Sequence, residues 1–150
     1  MKLQENILWL AFIGQPRNHK VEIGLAGIDL AQKKLAALWQ TEVSFISYPR
    51  LTGIVISENA TYLSIKGVGL VEFPGSLAEG REFLKNPKVL AQEHSLPSVF
   101  ITSVAKNGNK LWIAYAYGEG WQESGLGLYD PRTGHWETVL CSTLKGAPPL

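Results

Sequence analysis

One cysteine, Cys141, is the whole thiol content of the chain. No intrachain disulfide can form, so folding does not depend on an oxidising compartment. No base accompanies Cys141 in the sequence, and it reads as a small apolar residue rather than a reactive thiol. An excess of either charge is also missing. Fourteen basic and 13 acidic residues leave a formal net charge of +1, which offers no field to attract nucleic acid or an anionic membrane. Basic residues are scattered, and Lys33–Lys34 is their one adjacent pair. Long apolar runs are absent too. The longest, Ile7 to Ile13, falls far short of the roughly 20 residues that cross a bilayer. Glu5 precedes it and Gln15-Pro16-Arg17-Asn18 follows, which does not match a secretory leader. A cytoplasmic location with no membrane partner is the expectation.

Sequence signatures of catalysis are equally scarce. His19, His94 and His135 lie far apart, without the short spacings of metal ligands. The chain contains no Gly-x-Ser-x-Gly elbow, no Gly-x-x-x-x-Gly-Lys loop and no His-Glu-x-x-His. The paired glycines at 118/120 and 125/127 bound a hairpin rather than open a helix, so no phosphate loop is expected. Neither a metal nor a cofactor is expected. Glu119 and Glu123 flank Trp121 as a carboxylate pair, but a solvated loop with an aromatic anchor explains them better. Asp130 is explained by turn chemistry.

What the chain does have is self-similarity. Three stretches share one outline of an apolar extended run, a polar turn and a Gly-Leu-rich run. They are Ile7–Phe12 with Gly24–Leu30, Thr61–Ile65 with Gly67–Phe73, and Lys110–Tyr115 with Ser124–Asp130. Aligned on Trp9, Tyr62 and Trp112, they are spaced 53 and 50 residues apart. A period near fifty with several strands per unit marks a propeller or another β-repeat array. The expected class is all-β: about three four-stranded antiparallel meander blades of propeller type. The three repeats form one domain, over about residues 1–48, 49–97 and 98–150.

In the last repeat, strands are expected at Phe100–Ala105, Leu111–Tyr117, Leu126–Tyr129 and His135–Leu140. Asn107-Gly108 suits a tight hairpin turn, and Asp130-Pro131-Arg132-Thr133-Gly134 a second turn. The middle repeat gives strands at Leu51–Ser57, Tyr62–Lys66, Leu70–Phe73 and Lys88–Gln92. Ser76-Leu77-Ala78-Glu79 has capping-box form, which predicts a short surface helix over 77–84. The first repeat supplies Ile7–Ile13, Leu25–Leu30 and Leu35–Trp39 but no first strand, so its blade is expected to be incomplete. Trp9, Tyr62 and Trp112 are expected in the core, with Trp39 and Trp136 packed between blades.

Leu96-Pro97-Ser98, Ile101–Ala105, Gly108–Ala114 and the run Gly125-Leu126-Gly127-Leu128-Tyr129-Asp130-Pro131-Arg132-Thr133-Gly134-His135-Trp136-Glu137 resemble the repeats of two-component-regulator-type and kelch-like bacterial β-propellers. The match is good over about fifty residues of the last repeat and holds only in outline in the other two. The resemblance implies a blade fold and a sensory or binding module, and it brings no catalytic residues with it. Closed propellers have typically 4–8 blades, more than this chain encodes, so unmatched sheet edges would be exposed. A piece of a longer propeller, an open arrangement and ring closure by copies are the alternatives. Self-association, most simply as a dimer, is favoured.

In propellers the connections between second and third strands share a face with those leading into the next blade. Two insertions fall there, and together they could line one groove with Arg17, His19, Lys20, Glu119, Trp121, Gln122 and Glu123. An exposed Trp with polar neighbours suits a protein or carbohydrate ligand. Alternatively, Trp121 folds over its own blade or an assembly interface. The expected function is a non-enzymatic binding or scaffold module that self-associates to complete a ring. The alternatives are a carbohydrate-binding protein, or an enzyme of polysaccharide lyase or hydrolase type whose site forms between chains.

Overall fold

Short β-branched and aromatic runs, each ended by a turn residue, set the strands. The computed structural model describes residues 2–4, 6–45, 47–75, 77, 86–90, 100–116 and 124–140. Among the described residues, twelve strands form three sheets in chain order. Sheet I holds β1 (Lys2–Gln4), β2 (Ile7–Ile13), β3 (Lys20–Asp29) and β4 (Lys34–Ser44). Sheet II holds β5 (Arg50–Ile56), β6 (Ala60–Lys66), β7 (Gly69–Pro74) and β8 (Lys88–Val89). Sheet III holds β9 (Ile101–Asn107), β10 (Lys110–Tyr115), β11 (Gly125–Asp130) and β12 (His135–Leu140). Each sheet is an antiparallel meander, so the all-β class of stacked four-stranded sheets holds.

Several details differ from the sequence reading. The first sheet is not missing its first strand: Lys2–Gln4 pairs with Ile7–Trp9. It is short because Asn6 already turns the chain, its carbonyl accepting from the Leu30 amide at 3.0 Å. Strands β3 and β4 run to ten and eleven residues, longer than expected. Their apolar alternation continues through Val21, Ile23 and Val43, all buried. The helix expected over 77–84 lies outside the described residues, apart from Leu77. No helix among the described residues is long and apolar enough to cross a membrane.

The sheets stack face to face. Trp9, Ile23, Leu25 and Trp39 of sheet I meet Leu63, Ile65, Val71 and Phe73 of sheet II in one core cluster. Val55, Tyr62 and Leu70 on the other face of sheet II meet Ile101, Leu111, Ile113 and Tyr129 of sheet III in a second. Sheet II is therefore sealed on both faces, which is why Ala60–Ile65 is buried without a break. Trp9 stacks on Trp39, ring centroids 5.2 Å apart and nearly parallel, an arrangement that adds about 0.5–1.5 kcal/mol beyond area burial. Trp136 packs on the second cluster, its ring 4.4 Å from that of Tyr129. Between sheets II and III, the Thr52 hydroxyl lies within hydrogen-bonding distance of the Ile101 carbonyl (3.2 Å) and the Ser64 hydroxyl (2.9 Å).

Among the described residues, one face of sheet I and one face of sheet III meet no further sheet. On sheet I this face carries Leu3 and Leu38, exposed at 59% and 44%. On sheet III it carries Leu126 and Trp112, exposed at 40% and 39%. Trp112 thus departs from the core placement expected for it. Beside the sheet edges expected from sequence, the described sheets thus present two apolar faces where the stack ends.

Candidate functional site

In the sequence the connection between β2 and β3 reads as a long insertion, Gly14–Lys20. Instead it extends the hairpin. The Gly14 amide donates to the Glu22 carbonyl at 2.7 Å, and Arg17 and Lys20 exchange two backbone hydrogen bonds of 2.8 Å. Asn18 and His19 form the two-residue tip with φ values of 49° and 58°, the left-handed pair of a type I′ turn, a conformation Asn tolerates. The His19 carbonyl accepts from the Phe45 amide at 3.1 Å, and the His19 ring lies 6.0 Å from that of Phe45. Lys20 approaches Glu42 at 3.8 Å with both side chains exposed, a pair worth at most about 1 kcal/mol. Arg17, His19 and Lys20 are therefore brought together on an exposed, well-bonded turn. Glu119, Trp121, Gln122 and Glu123 lie outside the described residues.

A second concave place lies at the other end of the sheets. The segment after β4 fixes the ends: it bonds to His19 through Phe45 and to the Gly67 carbonyl through the Ser47 amide, so the tip of sheet I and the β6–β7 turn share one end. The turns β5–β6, β9–β10 and β11–β12 lie at the opposite end, where they enclose a cleft of about 260 Å³ between sheets II and III. Ser57, Glu58 and Asn59 form one wall, Lys106 and Asn109 a second, and Pro131 and Arg132 a third, over a floor of Tyr62 and Leu111.

Local chemistry accounts for each wall. The Ser57 hydroxyl donates to the Ala60 carbonyl at 2.8 Å, closing the β5–β6 turn. Gly108 alone carries the positive φ of the β9–β10 turn, at 59°. Asn107 remains in the strand, so the turn is centred on Gly108-Asn109, one residue later than expected from sequence. Asp130 accepts from the Arg132 amide at 3.0 Å and from its guanidinium at 3.1 Å. These hydrogen bonds hold the Asp130 carboxyl below its usual range and raise the Arg132 guanidinium. Tyr62 donates its hydroxyl to Glu72 at 3.2 Å. Burial first, and then the Glu72 charge, push its phenol well above the ordinary tyrosine value.

The cleft offers Glu58, Lys106 and Arg132 for charge pairing and two amide side chains for hydrogen bonding. Neither histidine nor cysteine lines it among the described residues. The described residues also contain no group of three His, Cys, Asp or Glu placed to hold a metal. The cleft is thus lined mainly by polar and charged side chains. From sequence, Glu58, Asn59, Lys106, Asn109, Pro131 and Arg132 read as turn residues, and Ser57, Tyr62 and Leu111 as strand residues. The signal that could have found the cleft is that charged turns of adjacent units fall at the same end. No protein-family model matches the chain, and no curated protein matches it.

Proposed function

We propose that this protein is a non-enzymatic binding or scaffold module built of propeller-type blades, which self-associates, most simply as a dimer, to complete a ring. The observation that carries this reading is the pair of exposed apolar faces at the two ends of the stack of described sheets, one bearing Leu3 and Leu38 and the other Trp112 and Leu126. Contiguous apolar surface of this kind marks an interaction site on a soluble protein. The resemblance of the last repeat to bacterial propeller repeats supports blade geometry. Two copies would bring six sheets together, within the usual propeller range of about 4–8. The ligand-binding surfaces of the module in this reading are its two ends. One presents Arg17, His19 and Lys20 on a hydrogen-bonded turn, for a protein or carbohydrate ligand. The other presents the cleft between sheets II and III.

Light scattering across a concentration series tests the reading. A mass of twice the 16.5 kDa chain is expected at micromolar concentration. A strict single-chain mass throughout would refute self-association.

A further inference from the structure

The two open faces are not alike, and their difference says how a second copy would cover them. Register across the second and third strands aligns the three sheets: Trp9 pairs with Gly27, Tyr62 with Glu72, and Trp112 with Leu128. Leu10, Leu63 and Ile113 are then equivalent. Leu63 packs back into the core shared with sheet I, and Ile113 into the core shared with sheet II; both are fully buried. Leu10 points the same way from sheet I and meets none of the other described sheets. Likewise, Phe12 corresponds to the buried Ile65 and Tyr115.

The other face follows the same rule in the opposite direction. Trp9 and Tyr62 pack forward into the next sheet at 6% and 3% exposure, while their equivalent Trp112 stands 39% exposed. Leu25 and Leu70 are fully buried, and their equivalent Leu126 is not. The open face of sheet I is thus a backward face of the kind sheets II and III present, and the open face of sheet III is a forward face of the kind sheets I and II present. Together they are the two halves of an interface the chain already builds twice.

We propose, resting on the self-association reading above, that a second copy docks head to tail. Leu8, Leu10 and Phe12 of each copy pack on Trp112, Leu126 and Leu128 of the other. A two-fold rotation relates the two junctions and closes the ring; a rotation that failed to close would give open filaments. Pairing like faces would instead set a backward surface against a backward surface, a contact with no precedent in the chain.

The test uses two variants, each damaging one face: Leu10→Glu and Leu126→Lys. Wild-type protein is weighed first by light scattering, and far-UV circular dichroism confirms that both variants keep the sheet signal. Leu8→Glu and Trp112→Lys replace either variant that loses it. Each variant alone is expected at half the wild-type mass, because every head-to-tail junction in it contains a damaged face. An equimolar mixture contains one undamaged junction and is expected to recover the two-chain mass. Loss of association in one variant but not the other would mean that like faces pair, and would overturn the head-to-tail arrangement. A mixture that stays at single-chain mass would overturn it as well. A monomeric wild type removes the self-association reading itself, whereas an associating wild type with the wrong variant pattern removes only this pairing.

Discussion

Gly67 offers a quantitative test of how sheets I and II are joined. The Val68 amide donates to the Ile65 carbonyl at 3.0 Å, so residues 65–68 form a four-residue turn with Gly67 in third place. Its φ of +82° is the value a type II turn demands there, and glycine alone adopts it without penalty. Gly67 is also pressed against the segment that leads from β4 into β5. A Cβ at this position would meet the Ser47 carbonyl, whose carbon would stand 2.9 Å away and whose oxygen closer still. Gly67→Ala therefore incurs two costs. Left-handed backbone costs a residue with a Cβ about 1 kcal/mol, and overpacking against fixed backbone adds about 1–3 kcal/mol. The total is about 2–4 kcal/mol, or a melting temperature lower by about 5–15 °C for a chain of this size. Gly108→Ala is the control. Its φ is +59° and nothing lies within 4 Å of the added carbon, so only the backbone cost of about 1 kcal/mol applies. Urea unfolding of both variants measures the difference. Equal destabilisation would refute the close approach of the β4–β5 segment to the β6–β7 turn.

Further expectations follow from burial and from titration. Leu63→Ala, fully buried between sheets I and II, is expected to cost about 2–5 kcal/mol. Leu126→Ala on the open face is expected to cost about 0.5 kcal/mol in dilute solution. Comparable urea midpoints for these two variants would contradict the stacking. Tyr62 and Tyr129 both have phenols raised by burial. Each favours the folded state fully below the unfolded tyrosine value near 10, and that stabilisation is lost as pH climbs past it. Ultraviolet titration should show Tyr62 and Tyr129 ionising above the ordinary tyrosine range; ionisation of every tyrosine at normal pH in folded protein would count against these placements. Asp130 is shifted in the opposite direction by Arg132. Its contribution is present above the unfolded Asp value of about 3.9 and fades as pH falls through the lower folded value. The stability gap between wild type and Asp130→Asn should therefore close in acid, and a gap independent of pH would argue against the Asp130–Arg132 contact.

Sequence and structure agree best where local chemistry decides. Ile7–Ile13 and His135–Leu140 have the bounds read from their apolar runs and flanking turns. The turn beginning at Asp130 has its Gly134 at φ +68°, as Asp and Gly at those positions require. The short β1 was missed because three residues carry too little alternation to register, and its pairing is set by the hairpin at Asn6. Trp112 was misplaced for a different reason. Position in the repeat specifies which face a side chain occupies, and burial also requires a sheet on that side. The extended hairpin at 14–20 registers in the sequence only as an insertion, because Pro16 and polar residues mask a register that backbone bonding sustains. The cleft could not be read from one unit, since its walls come from turns of two sheets.

The most direct measurement is oxidative footprinting of Trp112 against Trp9, read by peptide mass spectrometry in dilute and concentrated protein. Trp9, sealed between sheets I and II, should stay protected throughout. Trp112 should react readily when dilute and become protected as copies associate. Trp112 reactivity that does not change with concentration would contradict coverage of the sheet III face by a second copy.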